Sequence, residues 1–297
     1  MDVLTWARDP WDQPILSHVS WDLLWASLFA GVAFLIAHAS YIVLSAHRKR
    51  HAAETDAMEA ERPLLPPRIV RHSLAARLFH WVMAASMLTL LITAFLPIVG
   101  VRFAWVTWHW MAGIVLTGSI LFHVIHATVW LDFWSIWVGP RDLPELKAEV
   151  LRELGHEVPG PKPGKYPLGN RLYHLAIVAA GLSVVATGLF MMVRVRTPFF
   201  TRNPYLFSDG TWGLTYVLHG MAGVALVGLV IAHVYFAVRP EKWWITKSMI
   251  LGWITRRQYL EHHDPDRWDV ARSDRSSRSD GSDRSDRSGR SDVPVRA

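Results

Sequence analysis

The chain has 297 residues, 51% of them hydrophobic, with 16 tryptophans, no cysteine, a formal net charge of +6 and a mean hydropathy of +0.18. Without cysteine there are no disulfides, no thiolate-bound iron–sulfur clusters and no covalent c-type haem attachment, so any redox centre must rest on histidine or methionine. Five stretches carry no Asp, Glu, Lys or Arg (23–47, 78–101, 103–131, 172–193 and 210–238); each exceeds the ~20 residues a bilayer crossing needs, which excludes an ordinary soluble domain.

The expected fold is therefore all-α, a polytopic membrane protein. Residues 1–21 are Trp-rich and lack the basic start and small-residue cleavage site of a signal peptide, so they are expected to be an outer segment before a retained helix. That accessory transmembrane helix covers 22–46; its lone His38 is expected to make a structural hydrogen bond. Residues 47–73 turn acidic and then proline-rich (RPLLPPR), as a cytoplasmic linker does. Residues 74–270 hold four further spans. Between the second and third of these lies the longest loop, with a short helix in DLPELKAEVLRELG. From residue 271 the chain is a Ser/Asp/Arg repeat that cannot bury enough surface to fold.

Lys and Arg set the orientation. Seven lie in 47–77 and six in 139–171, against one (Arg8), one (Arg102) and three (Arg194, Arg196, Arg202) in the opposite segments. The positive-inside rule then places the N-terminus outside and the C-terminus in the cytoplasm, with flanking bases facing lipid headgroups. Because the basic residues flank spans, the positive charge does not point to nucleic acid.

Two of the spans repeat one pattern. HWMAGIVLTGSILFH from His109 and HGMAGVALVGLVIAH from His219 both fit H-x3-G-x4-G-x4-H. Fourteen residues at ~100° fall ~40° short of four turns, so the two histidines of each segment share a face, ~21 Å apart along the axis. The glycines Gly113, Gly118, Gly223 and Gly228 are expected to clear space there for something flat and bulky. Histidines at two depths of a bilayer, on facing helices, suit haem iron gripped from both sides. A pure packing seam would explain the glycines but leave the imidazoles unsatisfied in hydrocarbon.

Of the fifteen histidines, only His109 and His219 lie at the outer level, which makes them one ligand pair. At the inner level His233 is the fixed member. His80, His123, His126, His174 and His38 all reach its depth, and the repeat favours His123. For His123, His126 and His174 a propionate contact, a proton route and interface polarity are the competing roles. His18, His47, His51, His72, His156, His262 and His263 fall in loops and are expected to be solvated.

From about Arg68 to Asp269 the chain resembles the gamma subunit (cytochrome b556) of respiratory formate dehydrogenases. The motifs carrying the resemblance occur in order: R-x-x-H-W at Arg77–Trp81, H-x3-G at His109–Gly113, GKY followed by Gly and an amide at Gly164–Asn170, and T-G at Thr187–Gly188. Then follow His219, Ala222, Gly223, His233 and Tyr235, and the membrane-exit sequence SMILGWITRRQYLEHHDPDRW. Pro167 stands where the family has an asparagine after the tyrosine. The extra first helix and the Ser/Asp/Arg tail also depart from the family.

The resemblance implies a four-helix, di-haem bundle, here with one extra N-terminal transmembrane helix. It implies two haem b groups, the outer on His109 and His219 and the inner on His80 and His233, with His123 as the alternative to His80. A quinone, menaquinone or ubiquinone, would be reduced beside the inner haem near Tyr166, Asn170, Arg171 and His174. Arg77 and Arg239 are candidates for propionates or lipid headgroups. An iron–sulfur subunit and a molybdopterin catalytic subunit would supply electrons from outside the bacterial cytoplasmic membrane. Two competing readings are a hydrogenase or thiosulfate-type reductase partner with the opposite electron direction, and a chain that mainly anchors its catalytic subunit.

Overall fold

The computed structural model describes residues 3–45, 65–131, 133–153, 158 and 162–270. Most of the expected linker, part of the 154–161 segment with His156, and the Ser/Asp/Arg tail lie outside the described residues. Five helices are long and apolar enough to cross a membrane: α1 (Trp21–Ser45), α2 (Leu74–Phe95), α3 (Trp105–Trp130), α5 (Leu168–Met192) and α6 (Asp209–Val238). Shorter helices are α4 (Leu143–Glu153), α7 (Trp243–Leu251) and α8 (Arg256–His262). The strands pair as β1 (Leu4–Arg8) with β2 (Pro14–Val19) and β3 (Arg68–Val70) with β4 (Trp253–Thr255).

The described residues divide into two compact units, the first drawn from 3–45, 70–139 and 169–253, the second from 65–69, 140–168 and 254–270. In the first unit, Ser73 caps α2 by accepting from Ala76 N–H, and Ser208 caps α6 by accepting from Thr211 N–H. Both caps satisfy donors that a helix start would otherwise leave bare. Within the spans, Ser86, Thr89, Thr117 and Ser183 each donate to the carbonyl four residues back, so their hydroxyls are satisfied without water. Large apolar side chains such as Phe29, Ile36, Leu121 and Phe190 stay exposed, as a lipid-facing surface requires.

The N-terminal segment is a β-hairpin, which composition did not suggest. Its turn is set by Asp9, whose carboxylate accepts from the backbone of Trp11 and Gln13, and by Asp12 at φ 64°. The hairpin lies on the start of α6: the Leu16 carbonyl touches the open side of Gly213, and Val19 Cγ2 would sit 3.1 Å from a Cβ at Gly220. Further along, α1 takes the same face of α6. Ser27 Oγ donates to Val224 O at 3.5 Å, Gly31 faces Ile231, and His38 Nδ1 bonds the Tyr235 hydroxyl at 2.8 Å. His38 thus has the structural hydrogen bond expected of it. After α7, Gly252 adopts φ 90°, and its carbonyl accepts from the backbone of Arg71 and His72 at 2.8 and 3.0 Å.

The second unit is small and is built on α4, the 162–168 loop and α8. Thr255 and Gln258 form a reciprocal capping box on α8. Tyr259, Leu260 and Ile254 are its buried core, and the Tyr259 hydroxyl donates to the Trp268 carbonyl. His263 corrects an expectation: instead of being solvated it is 0% exposed, and its Nδ1–H donates to Gly164 O at 2.7 Å. Lys162 donates to Leu260 O, and Arg267 bridges Lys162 O and Glu145. The exit sequence and the GKY loop are therefore one structure.

Candidate functional site

The imidazoles of the first unit meet in pairs. At one level His109, on the second turn of α3, faces His219 of α6 with ring centroids 6.2 Å apart and planes at 67°. At the other level His80 of α2 faces His233 of α6 at 6.3 Å and 55°. A metal–imidazole bond is about 2 Å and the nitrogen lies about 1 Å from its ring centre, so imidazoles on opposite sides of one iron have centroids roughly 6 Å apart. Both pairs meet that spacing.

The His109–His219 pair is also oriented. Thr93 Oγ1 lies 2.7 Å from Thr89 O and 2.8 Å from His109 Nδ1. Thr187 Oγ1 lies 2.6 Å from Ser183 O and 2.9 Å from His219 Nδ1. A carbonyl only accepts, so each hydroxyl hydrogen goes to the backbone and each threonine oxygen accepts from Nδ1–H. That fixes the tautomer and leaves both Nε2 lone pairs free to bind a metal. Gly188, next to Thr187, makes the room: a Cβ there would sit 3.4 Å from His219 Cε1. Neither Thr93 nor this use of Gly188 stands out in the sequence, since threonine four residues from a carbonyl reads as helix interior.

At the other level Tyr173 stacks on His233 (5.3 Å, 20°) and donates to Leu229 O, while Trp81 meets His80 edge-on. The ring of His123 lies against Phe79 and His174, and no contact between His123 and His233 is found among the described residues. His174 stands edge-on to Trp137, whose carbonyl accepts from Arg171. Asn170, Arg171 and His174 share the first turns of α5, and Tyr166 belongs to the second unit. Arg77 donates to Ile250 O, and Arg239 pairs with Glu241.

The glycines divide. Gly223 has open space beside it on the histidine side of α6, and Gly113 approaches only Leu90 at 4.0 Å. Gly228 is a correction: its open side faces Ser27 of α1 at 3.8 Å. Nine residues at ~100° is a half-turn, which puts Gly228 opposite His219, and Gly118 likewise opposite His109.

Residues 71–252, more than half the chain, match the family model of prokaryotic cytochrome b561. The chain belongs to the prokaryotic cytochrome b561 family. As a member of this cytochrome family it is a multi-pass helical membrane protein that binds haem b. It is similar to the formate dehydrogenase cytochrome b556 subunit of Haemophilus influenzae, 25% identical over 217 residues, covering 68% of this chain and 82% of the relative. The formate dehydrogenase cytochrome b556(fdo) subunit of Escherichia coli K12 is 22% identical over 214 residues, covering 67% and 91%. The family match leaves out the hairpin and α1; of the five long helices, α2, α3, α5 and α6 lie within it.

Proposed function

We propose that this cytochrome b561-family chain is the membrane subunit of a formate dehydrogenase-like respiratory complex. It passes electrons between an outward-facing iron–sulfur and molybdopterin partner and the quinone pool through two b haems. The observation carrying this reading is that one helix, α6, supplies one imidazole to each of two ring pairs spaced for bis-imidazole ligation. The fourteen residues between His219 and His233 separate the levels by ~21 Å of helix. The relatives' names support the partner, and the lysine and arginine distribution supports an outside N-terminus in a bacterial cytoplasmic membrane.

Bound at these pairs, haem supplies one-electron transfer. Everything else is done by the chain. His109 and His219 would hold one haem through Nε2, with Thr93 and Thr187 keeping their tautomer. His80 and His233 would hold the other haem, with Tyr173 packed flat against His233. With two imidazoles committed to each haem, no open site for oxygen or substrate would be left, so the group would supply electron transfer alone. Asn170, Arg171 and His174, on the first turns of α5, are the first unit's candidate contacts for menaquinone or ubiquinone, and Tyr166 is the second unit's candidate.

The test is a pyridine haemochrome assay on His→Ala variants, with a quinone-analogue titration of the reduced spectrum. Two haems per chain are expected. His109→Ala and His219→Ala lose the same one, His80→Ala and His233→Ala lose the other, and His123→Ala keeps both. A His80→Ala protein with both haems and a His123→Ala protein with one would reverse the inner assignment. An analogue that never perturbs the spectrum would favour an anchor over a conduit.

A further inference from the structure

Four buried side-chain nitrogens on the α3–α5 side of the first unit make no hydrogen bond among the described residues: Nδ1 of His123, His126 and His174, and Nε1 of Trp137. Three other span histidines behave differently. His38, His109 and His219 each engage a hydroxyl through Nδ1. In a lipid-embedded bundle a bare buried nitrogen is costly, so several in one patch point to small polar occupants rather than to packing.

The spacing says which. The rings of His123 and His174 are 6.5 Å apart at 71°, and those of His174 and Trp137 are 6.2 Å apart at 86°. No direct bond joins them, and one water between neighbours would satisfy both sides. His126 lies one turn beyond His123 and is 8% exposed. Phe79 stacks on His123 at 4.3 Å and 19°, sealing that side next to His80. Arg171 holds Trp137 in place through its carbonyl. The residues facing His123 and His174 are thus other imidazoles, aromatics and the Arg171 clamp.

We infer that His126, His123 and His174 form a water-linked proton relay, with Trp137 Nε1–H anchoring one of the waters, that feeds the quinone pocket at the start of α5. This rests on the quinone-reducing reading above. Reduction of a quinone consumes two electrons and two protons and yields quinol. The electrons arrive through the His80/His233 level, and the protons come from bulk water. Each imidazole takes a proton on one ring nitrogen and releases the one on the other, returning to its starting composition when the tautomer resets.

The test uses the full chain with haem in membranes, reduced by dithionite and mixed with a water-soluble short-chain quinone. His123→Gln and His126→Gln keep both haems and the analogue-induced spectral shift, but slow reoxidation roughly tenfold or more. Added imidazole restores part of the lost rate. Trp137→Phe preserves the packing, removes only the Nε1–H and gives a smaller slowing. An unchanged rate in both glutamine variants overturns the relay. A lost haem overturns it by making these imidazoles ligands, and a lost analogue shift does so by making them quinone contacts. If the unaltered protein shows neither shift nor reoxidation, the quinone reading fails first and the relay falls with it.

Discussion

Thr93 and Thr187 sit on different helices, yet each does the same thing to a histidine on a neighbouring helix. Replacing either by valine keeps the shape and removes the acceptor for Nδ1–H. Such outer hydrogen bonds are worth roughly 10–100-fold in metal affinity. Thr187→Val and Thr93→Val are therefore expected to release the haem proposed for the His109/His219 pair that much more readily, with the other haem unaffected. Dissociation to apomyoglobin measures this, and Thr→Ser should restore retention. A Gly188→Val change acts on the same imidazole by crowding it, since even the first added carbon stands 3.4 Å from the ring. The T-G pair was visible as a motif in the sequence. Its purpose was not, because the acceptor and the histidine are 32 positions apart.

At the scale of the element, α6 carries two stripes. Gly213, Gly220, Ile231 and Tyr235 lie within ~60° of one another at ~100° per residue, and Gly228 falls on the same side. This stripe meets the hairpin and α1, while His219 and His233 lie on the opposite one. Reading a single glycine–histidine face merged the two, and that error put Gly228 beside the imidazoles. A side chain at Gly213 would meet the Leu16 carbonyl, so Gly213→Val should lift the hairpin from α6. The expected result is faster proteolysis within residues 3–19 and unchanged haem content. Loss of haem would mean that the two stripes are mechanically coupled.

For the whole molecule, the family match starts at residue 71, while the hairpin and α1 pack on the side of α6 away from the histidines. A chain begun after α1 should still bind both proposed haems in membranes, because none of the four proposed ligands or the two threonines lies before residue 80. Its thermal midpoint should fall, since the His38–Tyr235 bond and the α1 packing are lost. Haemochrome stoichiometry and the loss of Soret absorbance on heating measure the two effects separately. If the truncated chain is colourless, the N-terminal segment belongs to the haem-binding core.

Length, hydropathy and the spacing of histidines determined the membrane class, the five spans and the two imidazole levels, because these follow from helical rise and the width of a hydrocarbon layer. Motif order pointed to a cytochrome b. Periodicity could not decide which inner histidine faces His233: residues at equal depth look alike until the helices are arranged around one another. The tertiary structure set His80 against His233, joined His123 to His174, buried His263 and turned Gly228 toward α1. Each of those depends on how a helix is rotated about its own axis, and that is settled only by the neighbours it packs against.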